Sequence, residues 1–192
     1  PEWELSEPLL GSEITADDGV FRFTFPPGVV LDHWTTVDNA VQLRRSDIFD
    51  DFYIETRVRF VGSDDPEFPI WPPYNEPYQA GLMIGFAAND LFYFGPYRGT
   101  NLMVERSGAN GLCQIDPGLQ EVTLRIDKIG STYTFRWRAD DADPWSTLCE
   151  QTHTPAPIWA GLVFKSWNPA LTFRETFDFD YFTLQEKQDE AP

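Results

Sequence analysis

The chain has 192 residues, of which 42% are hydrophobic and 16% aromatic, enough for one domain with a sizeable apolar core. Its 14 Lys and Arg residues against 31 Asp and Glu residues give a formal charge of −17. Nucleic acids and anionic membrane surfaces require a basic footprint, so this charge argues against both as partners. It is compatible with neutral or cationic ligands. No run of about 18 apolar residues occurs, so the sequence predicts no membrane span.

Apolar and polar residues alternate with a period of two along most of the chain, which is typical of half-buried strands. Clusters of Gly, Pro, Asn and Asp separate these segments and predict turns. The pattern predicts about ten strands and no helix, as in a β-sandwich or jelly roll. The candidates are 19–25, 40–46, 51–60, 79–86, 91–97, 101–107, the two strands of a hairpin within 121–141, 158–166 and 176–185.

The segment 68–81, FPIWPPYNEPYQAG, contains four prolines and predicts a stiff loop. Each proline fixes φ and removes a backbone donor, so the segment suits neither a helix interior nor a central strand. Trp71, Tyr74 and Tyr78 are candidates for an aromatic platform that binds a ligand, with Asn75 and Glu76 as candidate partners for its hydroxyls. The same rings would also serve as a lid over the core, and both interpretations stay open.

Two further clusters combine aromatic and planar polar side chains at strand ends. Tyr97, Arg98 and Asn101 follow a Gly-Pro pair, and the Arg98 guanidinium offers donors for a hydroxyl pair or a carboxylate. The other cluster leaves the end of strand 158–166 and contains Lys165, Trp167 and Asn168.

The order of the strand motifs GVFRFTF, DFYIETRVRF, QAGLMIGF, NLMVERSG and FDFDYFTL resembles the concanavalin A-like lectin/glucanase superfamily. The similarity covers roughly residues 3 to 185 and is strongest to the small jelly-roll modules appended to glycosidases and other cell-surface polysaccharide-processing proteins. It implies an all-β fold of two facing antiparallel sheets, one of them concave. Many such modules bind carbohydrate on the concave face or at its loop rim.

The domain prediction is one jelly-roll domain at 1–185 and a polar tail or linker at 186–192. The chain starts without Met, and both ends are typical of a module tethered within a longer extracellular, secreted or cell-surface protein. Cys113 and Cys149 would suit a disulfide in such a protein. Two cysteines alone leave the bridge open.

The catalytic motif of the superfamily's hydrolases, Glu-x-Asp-x-x-Glu, is missing from the sequence. The Gln-x-His pattern of the superfamily's lyases occurs once, as Gln151-Thr152-His153. Glu55 and Glu105 are the catalytic candidates if the protein is a glycoside hydrolase, provided that their strands are neighbours. In related modules the terminal Phe-Asp-x-Phe strand is structural, which implies a loop-capping or calcium-binding role for Asp180.

The interpretation that these observations favour is a non-catalytic carbohydrate-binding module that binds a polysaccharide or oligosaccharide. One alternative is a glycoside hydrolase or lyase of the same fold with an unfamiliar site. Another is a protein-interaction module like the laminin G-like domains. No cofactor is expected apart from a structural calcium ion, and the glycan, the binding mode and the oligomeric state stay open.

Overall fold

The computed structural model describes residues 3–6, 11–34, 37–63, 78–167 and 174–187, and every regular element in these ranges is a β-strand. The sixteen strands are β1 Glu4–Leu5, β2 Glu13–Asp17, β3 Val20–Phe25, β4 His33–Trp34, β5 Val37–Asp38, β6 Val41–Arg45, β7 Phe52–Ser63, β8 Tyr78–Ala87, β9 Asp90–Tyr97, β10 Asn101–Arg106, β11 Ala109–Ile115, β12 Glu121–Ile129, β13 Thr132–Arg138, β14 Ser146–Thr152, β15 Trp159–Ser166 and β16 Glu175–Glu186.

Fourteen of these strands form two antiparallel sheets of seven strands each. Sheet A has the order β1-β6-β15-β8-β9-β10-β11, and sheet B has the order β14-β13-β12-β7-β16-β3-β2. The remaining strands, β4 and β5, make a separate hairpin. The predicted fold class, an all-β antiparallel sandwich of the jelly-roll type, is confirmed.

The core lies between the two sheets and follows directly from the alternation in the sequence. Along β7, Phe52 and Ile54 are buried in it, whereas Glu55 between Ile54 and Thr56 points away from sheet A. Aromatic pairs join the sheets: Phe94 of sheet A and Phe135 of sheet B meet edge to face with centroids 5.5 Å apart. The predicted hairpin around Gly130 is present as β12 and β13.

The regular strands that the sequence pattern missed are concentrated at the sheet edges. β1 and β11 are the edges of sheet A, and β14 and β2 are the edges of sheet B. An edge strand buries less of each face, so its side chains lose the strict alternation that marks a half-buried strand. The strand β2, for example, is exposed at four of its five positions.

A disulfide between Cys113 and Cys149 joins two of these edges. Cys113 lies on β11 of sheet A and Cys149 on β14 of sheet B, so the bridge closes one side of the sandwich. This answers the question that the two cysteines left open in the sequence. A bridge between sheets restricts their separation in the unfolded chain as well as in the folded one.

The outer face of sheet A, the face turned away from sheet B, carries a second apolar cluster. Its buried members are Ala40, Met83, Leu91, Tyr93, Trp159 and Val163. The segment leading into the β4–β5 hairpin packs there: Leu31 pairs with Ser166, and the Tyr93 hydroxyl donates to the backbone carbonyl of His33 over 2.9 Å. These contacts bring the 31–33 segment beside the end of β15 and create a sheltered surface there.

Candidate functional site

The two sequence clusters around Tyr97 and Trp167 meet at one end of the outer face of sheet A. Tyr97 ends β9 and Trp167 follows β15, and only β8 lies between these strands in the sheet. The register aligns Lys165 with Gln79 and Gln79 with Tyr97. The rings of Tyr97 and Trp167 stack with centroids 5.5 Å apart and planes 20° apart. Both side chains are partly exposed, so the stacked pair reaches the surface.

Arg98 lies over both rings and occupies the turn that joins β9 to β10. Its guanidinium carbon is 5.3 Å from the Tyr97 centroid and 5.7 Å from the Trp167 centroid. Its φ of 46° is left-handed, which is uncommon for a residue other than glycine. Two contacts hold the turn: Asn101 Nδ2 donates to the Arg98 carbonyl over 2.8 Å, and the Tyr78 hydroxyl donates to the Gly99 carbonyl over 2.7 Å.

Lys165 lies next to the stacked rings and forms a cluster of ion pairs there. Its side chain is buried, with only 1% exposed. Its Nζ is 2.6 Å from Glu105 Oε2 and 3.8 Å from Asp32 Oδ1. The same nitrogen lies 4.2 Å from the Tyr93 ring centroid and 5.3 Å from that of Trp167. A buried ammonium needs such partners to offset its desolvation. The carboxylates, which are 12% and 15% exposed, are the parts of this cluster that reach solvent.

Two glycines explain how Lys165 on β15 reaches Glu105 on β10 across two intervening strands. Gly81 and Gly95 occupy outward positions on β8 and β9 and place no side chain between the two charges. Neither position accepts a side chain, because a Cβ would lie 2.2 Å from Phe94 O at Gly81 and 1.9 Å from Ala80 O at Gly95. The sheet therefore has no side chain at these two positions, which lie between Lys165 and Glu105.

The Tyr97 phenol and the Gln79 side-chain amide are the two neutral polar groups of this surface. Burial raises the pKa of the Tyr97 phenol above its ordinary value; the charge of Arg98 opposes this shift and that of Glu105 adds to it. The phenol therefore stays protonated at neutral pH and can both donate and accept. Gln79 is fully buried, and its Oε1 has no hydrogen-bond partner, while its amide nitrogen lies 3.5 Å from Met103 O. Gln79 thus adds an uncompensated acceptor to the row between Lys165 and Tyr97.

The structure brings together five of the residues that the sequence nominated for carbohydrate binding: Tyr97, Arg98, Asn101, Lys165 and Trp167. Asn101 acts by holding the Arg98 turn, and its Oδ1 accepts from Gln114 over 2.8 Å. Five other nominated residues lie outside the described residues: Trp71, Tyr74, Asn75, Glu76 and Asn168.

Tyr78 requires a correction, because it does not form part of an exposed platform. It is fully buried, its ring packs 5.1 Å from that of Phe177, and its hydroxyl is spent on Gly99. The reason is its position as the first residue of β8, where the register pairs it with Ser166 inside sheet A. Tyr78 is therefore a support for the Arg98 turn.

The condition under which Glu55 and Glu105 were catalytic candidates, that their strands be neighbours, is not met. Glu55 lies on β7 of sheet B and Glu105 on β10 of sheet A, and each points away from the core. The whole sandwich separates the two carboxylates, so they cannot flank one glycosidic bond.

Sequence reasoning missed Asp32, Tyr93 and Gln79, and it considered Glu105 only as a catalytic candidate. Asp32 comes from the segment before the β4–β5 hairpin, and its backbone N–H donates to Asn39 Oδ1 over 2.9 Å. The signal that could have found Glu105 is the pair of glycines on β8 and β9, since bare positions on neighbouring strands allow long side chains to meet.

Asp180 is exposed on β16 and lines a shallow pocket on the outer face of sheet B with Arg57, Arg59, Glu121 and Asp178. Among the residues that the structure describes, no group of three or more His, Cys, Asp or Glu side chains is arranged to hold a metal ion. Calcium takes six to eight oxygen ligands, and the two other carboxylates that line this pocket, Glu121 and Asp178, already pair with arginines. A metal role for Asp180 stays a prediction.

No protein-family model matches the chain, and no curated protein matches it. Solved structures do. One is a functionally unknown protein from Saccharomyces cerevisiae, with a TM-score of 0.69 and 11% identity over 97% of this chain and 96% of that chain. Another is the carbohydrate binding module CBM66 from Bacillus subtilis, with a TM-score of 0.58 and 8% identity over 96% and 95%.

A third similar structure is the xylan beta-1,4-xylosidase from Bacillus halodurans C-125, with a TM-score of 0.62 and 16% identity over 87% of this chain. The match covers 33% of that enzyme, so the chain spans about a third of its length. The fold is a concanavalin A-like jelly-roll β-sandwich. Within the described residues, no helix is long and apolar enough to cross a membrane.

Proposed function

We propose that the chain is a non-catalytic carbohydrate-binding module of a larger extracellular polysaccharide-processing protein. The observation that carries the proposal is the stacked pair of Tyr97 and Trp167, with Arg98 over the rings and the Lys165–Glu105 ion pair beside them. We call these five residues the sheet A site. Sugars present apolar C–H faces together with a rim of hydroxyls, and this site offers flat rings and planar polar groups side by side.

The sheet A site is preorganised, which supports binding as its role. Strand pairing fixes the positions of Tyr97 and Lys165, and hydrogen bonds to two turn carbonyls fix the turn of Arg98. A ligand that meets fixed groups loses less conformational entropy of the protein on binding. Trp71, Tyr74, Asn75 and Asn168 remain candidates for the rim, since the segments 64–77 and 168–173 adjoin the paired strand ends at Tyr78 and Ser166.

The arrangement of carboxylates supports a non-catalytic role. Hydrolysis of a glycosidic bond usually needs one carboxyl group that gives a proton and a second that acts as base or nucleophile. Glu105 and Asp32, the two carboxylates of this cluster, both face the Lys165 ammonium, at 2.6 Å and 3.8 Å, and Glu55 lies on the other sheet.

Two further observations favour an extracellular carbohydrate-related role. The Cys113–Cys149 bridge is the kind of cross-link that persists in oxidising compartments. Among the solved structures of this fold, one that the chain covers almost completely is described as a carbohydrate binding module.

A pull-down with insoluble polysaccharides tests the proposal. The chain is mixed with cellulose, xylan, chitin, β-glucan and fructan, and reducing sugar is measured in the same tubes. We expect depletion of the protein by at least one polysaccharide without release of reducing ends. The Trp167→Ala variant should lose this binding, whereas Trp145→Ala, which removes a ring from the outer face of sheet B, should keep it.

Two results would overturn the proposal. New reducing ends that require the native chain would make it a hydrolase. Binding to no polysaccharide, in a chain that circular dichroism shows to be folded, would move the interpretation to a protein-interaction module.

A further inference from the structure

Most cations of this acidic protein pair with a carboxylate, and among the described residues only Arg44 and Arg98 do not. All 14 Lys and Arg residues lie in the described ranges, and twelve of them contact a carboxylate. Arg44 instead donates to the Gln42 amide oxygen over 2.8 Å. Among the described residues, Arg98 is therefore the cation whose guanidinium contacts no side-chain acceptor and meets only aromatic rings.

The backbone conformation of Arg98 and the burial of its Nε both cost free energy. Among the described residues, the guanidinium contacts no acceptor that would offset either cost. The backbone of Arg98 adopts the left-handed region at φ 46°, which disfavours any residue with a Cβ. Its Nε is buried and has no acceptor, although a buried N–H normally has one. Tyr78 and Asn101 hold the carbonyls of this turn, so the conformation is built into the fold. Backbone strain that the surrounding fold holds in place is concentrated at binding sites.

We infer that Arg98 receives the carboxylate of an acidic sugar, a uronic acid residue, whose ring packs against the Tyr97–Trp167 pair. This inference rests on the proposed function and names its ligand class. A guanidinium presents two parallel N–H donors that match the two oxygens of a carboxylate, and such a bidentate pair is stronger than a bond to a neutral hydroxyl. Lys165 does not compete for the same group, because it is buried and engaged by Glu105.

The net charge of the whole protein restricts the class of acidic glycan further. A net charge of −17 repels a polyanion along its length, while a single carboxylate is attracted by the nearest guanidinium. The ligand that fits both conditions is a neutral glycan chain that carries isolated uronic acid groups. A densely charged polyuronate does not fit.

The test compares two forms of one ligand by isothermal titration calorimetry. The acidic form is a xylo-oligosaccharide with a single glucuronic acid side group, and the neutral form is the same molecule after reduction of the carboxyl group to an alcohol. We expect the native chain to bind the acidic form at least about tenfold more tightly, the equivalent of about 1.4 kcal/mol. Raising the ionic strength should reduce this preference.

Three variants separate ligand recognition by Arg98 from a structural role. Arg98→Asn removes the guanidinium but tolerates the left-handed backbone, and it should abolish the preference because it weakens binding of the acidic form about tenfold more than binding of the neutral form. Arg98→Lys keeps the charge without the planar fork and should retain part of the preference. Arg44→Gln is the matched control, since Arg44 lies 4.6 Å from the centroid of the Trp159 ring, and it should leave the preference unchanged.

The outcomes distinguish this inference from the proposed function on which it rests. Equal affinity for the two forms, or an equal loss for both in Arg98→Asn, would overturn the uronic acid inference and leave the carbohydrate module standing. Binding of neutral polysaccharides in the pull-down without binding of the acidic oligosaccharide would also overturn it alone. Binding to no glycan of either set would overturn both.

Discussion

The two outer faces of the sandwich carry similar residue types but organise them differently. On the outer face of sheet B, arginines lie over rings as Arg98 does: Arg125 is 3.8 Å from the Tyr53 centroid, and Arg138 is 4.4 Å from that of Trp145. There, however, Arg125 and Arg138 also contact carboxylates. On sheet A, the Arg98 guanidinium lies over two aromatic rings but contacts no carboxylate among the described residues. The difference indicates that the arginines of sheet B form a charge network with carboxylates of the protein itself, whereas the charge of Arg98 on sheet A can pair with a ligand.

The centre of the sheet B network is Asp127, whose side chain is only 3% exposed. Arg125 donates to it over 2.8 Å, and Lys187 and Arg136 lie 3.2 Å from its two oxygens. Burial works against its charge, but the hydrogen bonds and charges of Arg125 and Lys187 together outweigh burial and hold the pKa of Asp127 below its ordinary value. The guanidinium groups on this face therefore serve the protein itself, which makes this face the natural control for the sheet A site.

Removing the disulfide should have the largest effect on stability, and it should affect both faces alike. The bridge spans a sequence separation of 36 residues. The entropy of closing a loop of that size corresponds to about 4 kcal/mol of stability. We expect the Cys113→Ala/Cys149→Ala variant to lose roughly this free energy of unfolding in urea titrations. A variant as stable as the native chain would contradict a structural role for the bridge.

Neutralising Asp127 should destabilise the fold without touching ligand binding. Asp127→Asn leaves three cations around a neutral amide, and breaking a buried ion pair in this way costs about 3 kcal/mol. Urea unfolding measures the loss. The matched control is Asp47→Asn, because Asp47 is 51% exposed beside Arg45, and we expect it to cost less than about 1 kcal/mol. If Asp127→Asn weakened glycan binding in the folded protein, the assignment of the two faces would be wrong.

Removing the Trp167 ring should weaken ligand binding strongly and change stability little, which is the opposite of the effect expected for Asp127→Asn. A central aromatic contact of a binding site is typically worth about 2 kcal/mol, or roughly thirtyfold in affinity. Calorimetric titration with the glycan selected in the pull-down gives the affinity of Trp167→Ala. The same measurement on Trp145→Ala supplies the comparison between faces. Equal losses in the two variants would show that ligand binding does not distinguish the faces.

Acid should weaken the sheet B network, with the smallest of the four effects. Burial opposes the charge of Asp178, but hydrogen bonds from Arg22 and Arg59 lower its pKa below the ordinary 3.8, and the pKa of Asp127 is also lowered. A carboxylate with a lowered folded-state pKa stabilises the fold above its unfolded value and loses this contribution as pH falls through the folded value. Stability should therefore decline below about pH 4, and less steeply in Asp178→Asn. Identical pH profiles of the two proteins would contradict the prediction.

The interior of the fold could be predicted because interior strands bury one face and expose the other. The alternation in β7 and in the β12–β13 hairpin identified these three strands and their inward residues. The edge strands β2, β11 and β14 escaped prediction because they lack that constraint. Contacts between the sheets, such as the Cys113–Cys149 bridge, depend on which edge strands become neighbours. No local sequence pattern encodes which edges meet.

The sheet A site was predictable in its parts and not as a whole. Tyr97, Arg98 and Trp167 were recognisable because large aromatic and planar polar residues stood at strand ends. Their meeting depends on β8 being inserted between β9 and β15, which is a property of the topology. The sequence also could not show that Lys165 is buried, since a lysine at a strand end is more often exposed.

NMR titration of the native chain with the glycan that it binds tests most directly whether the ligand occupies the sheet A site. We expect the indole N–H signal of Trp167 and the side-chain signals of Arg98 to shift with ligand concentration, while the indole signal of Trp145 does not move. Movement of Trp145 with an unmoved Trp167 would place the ligand on sheet B and contradict the central claim.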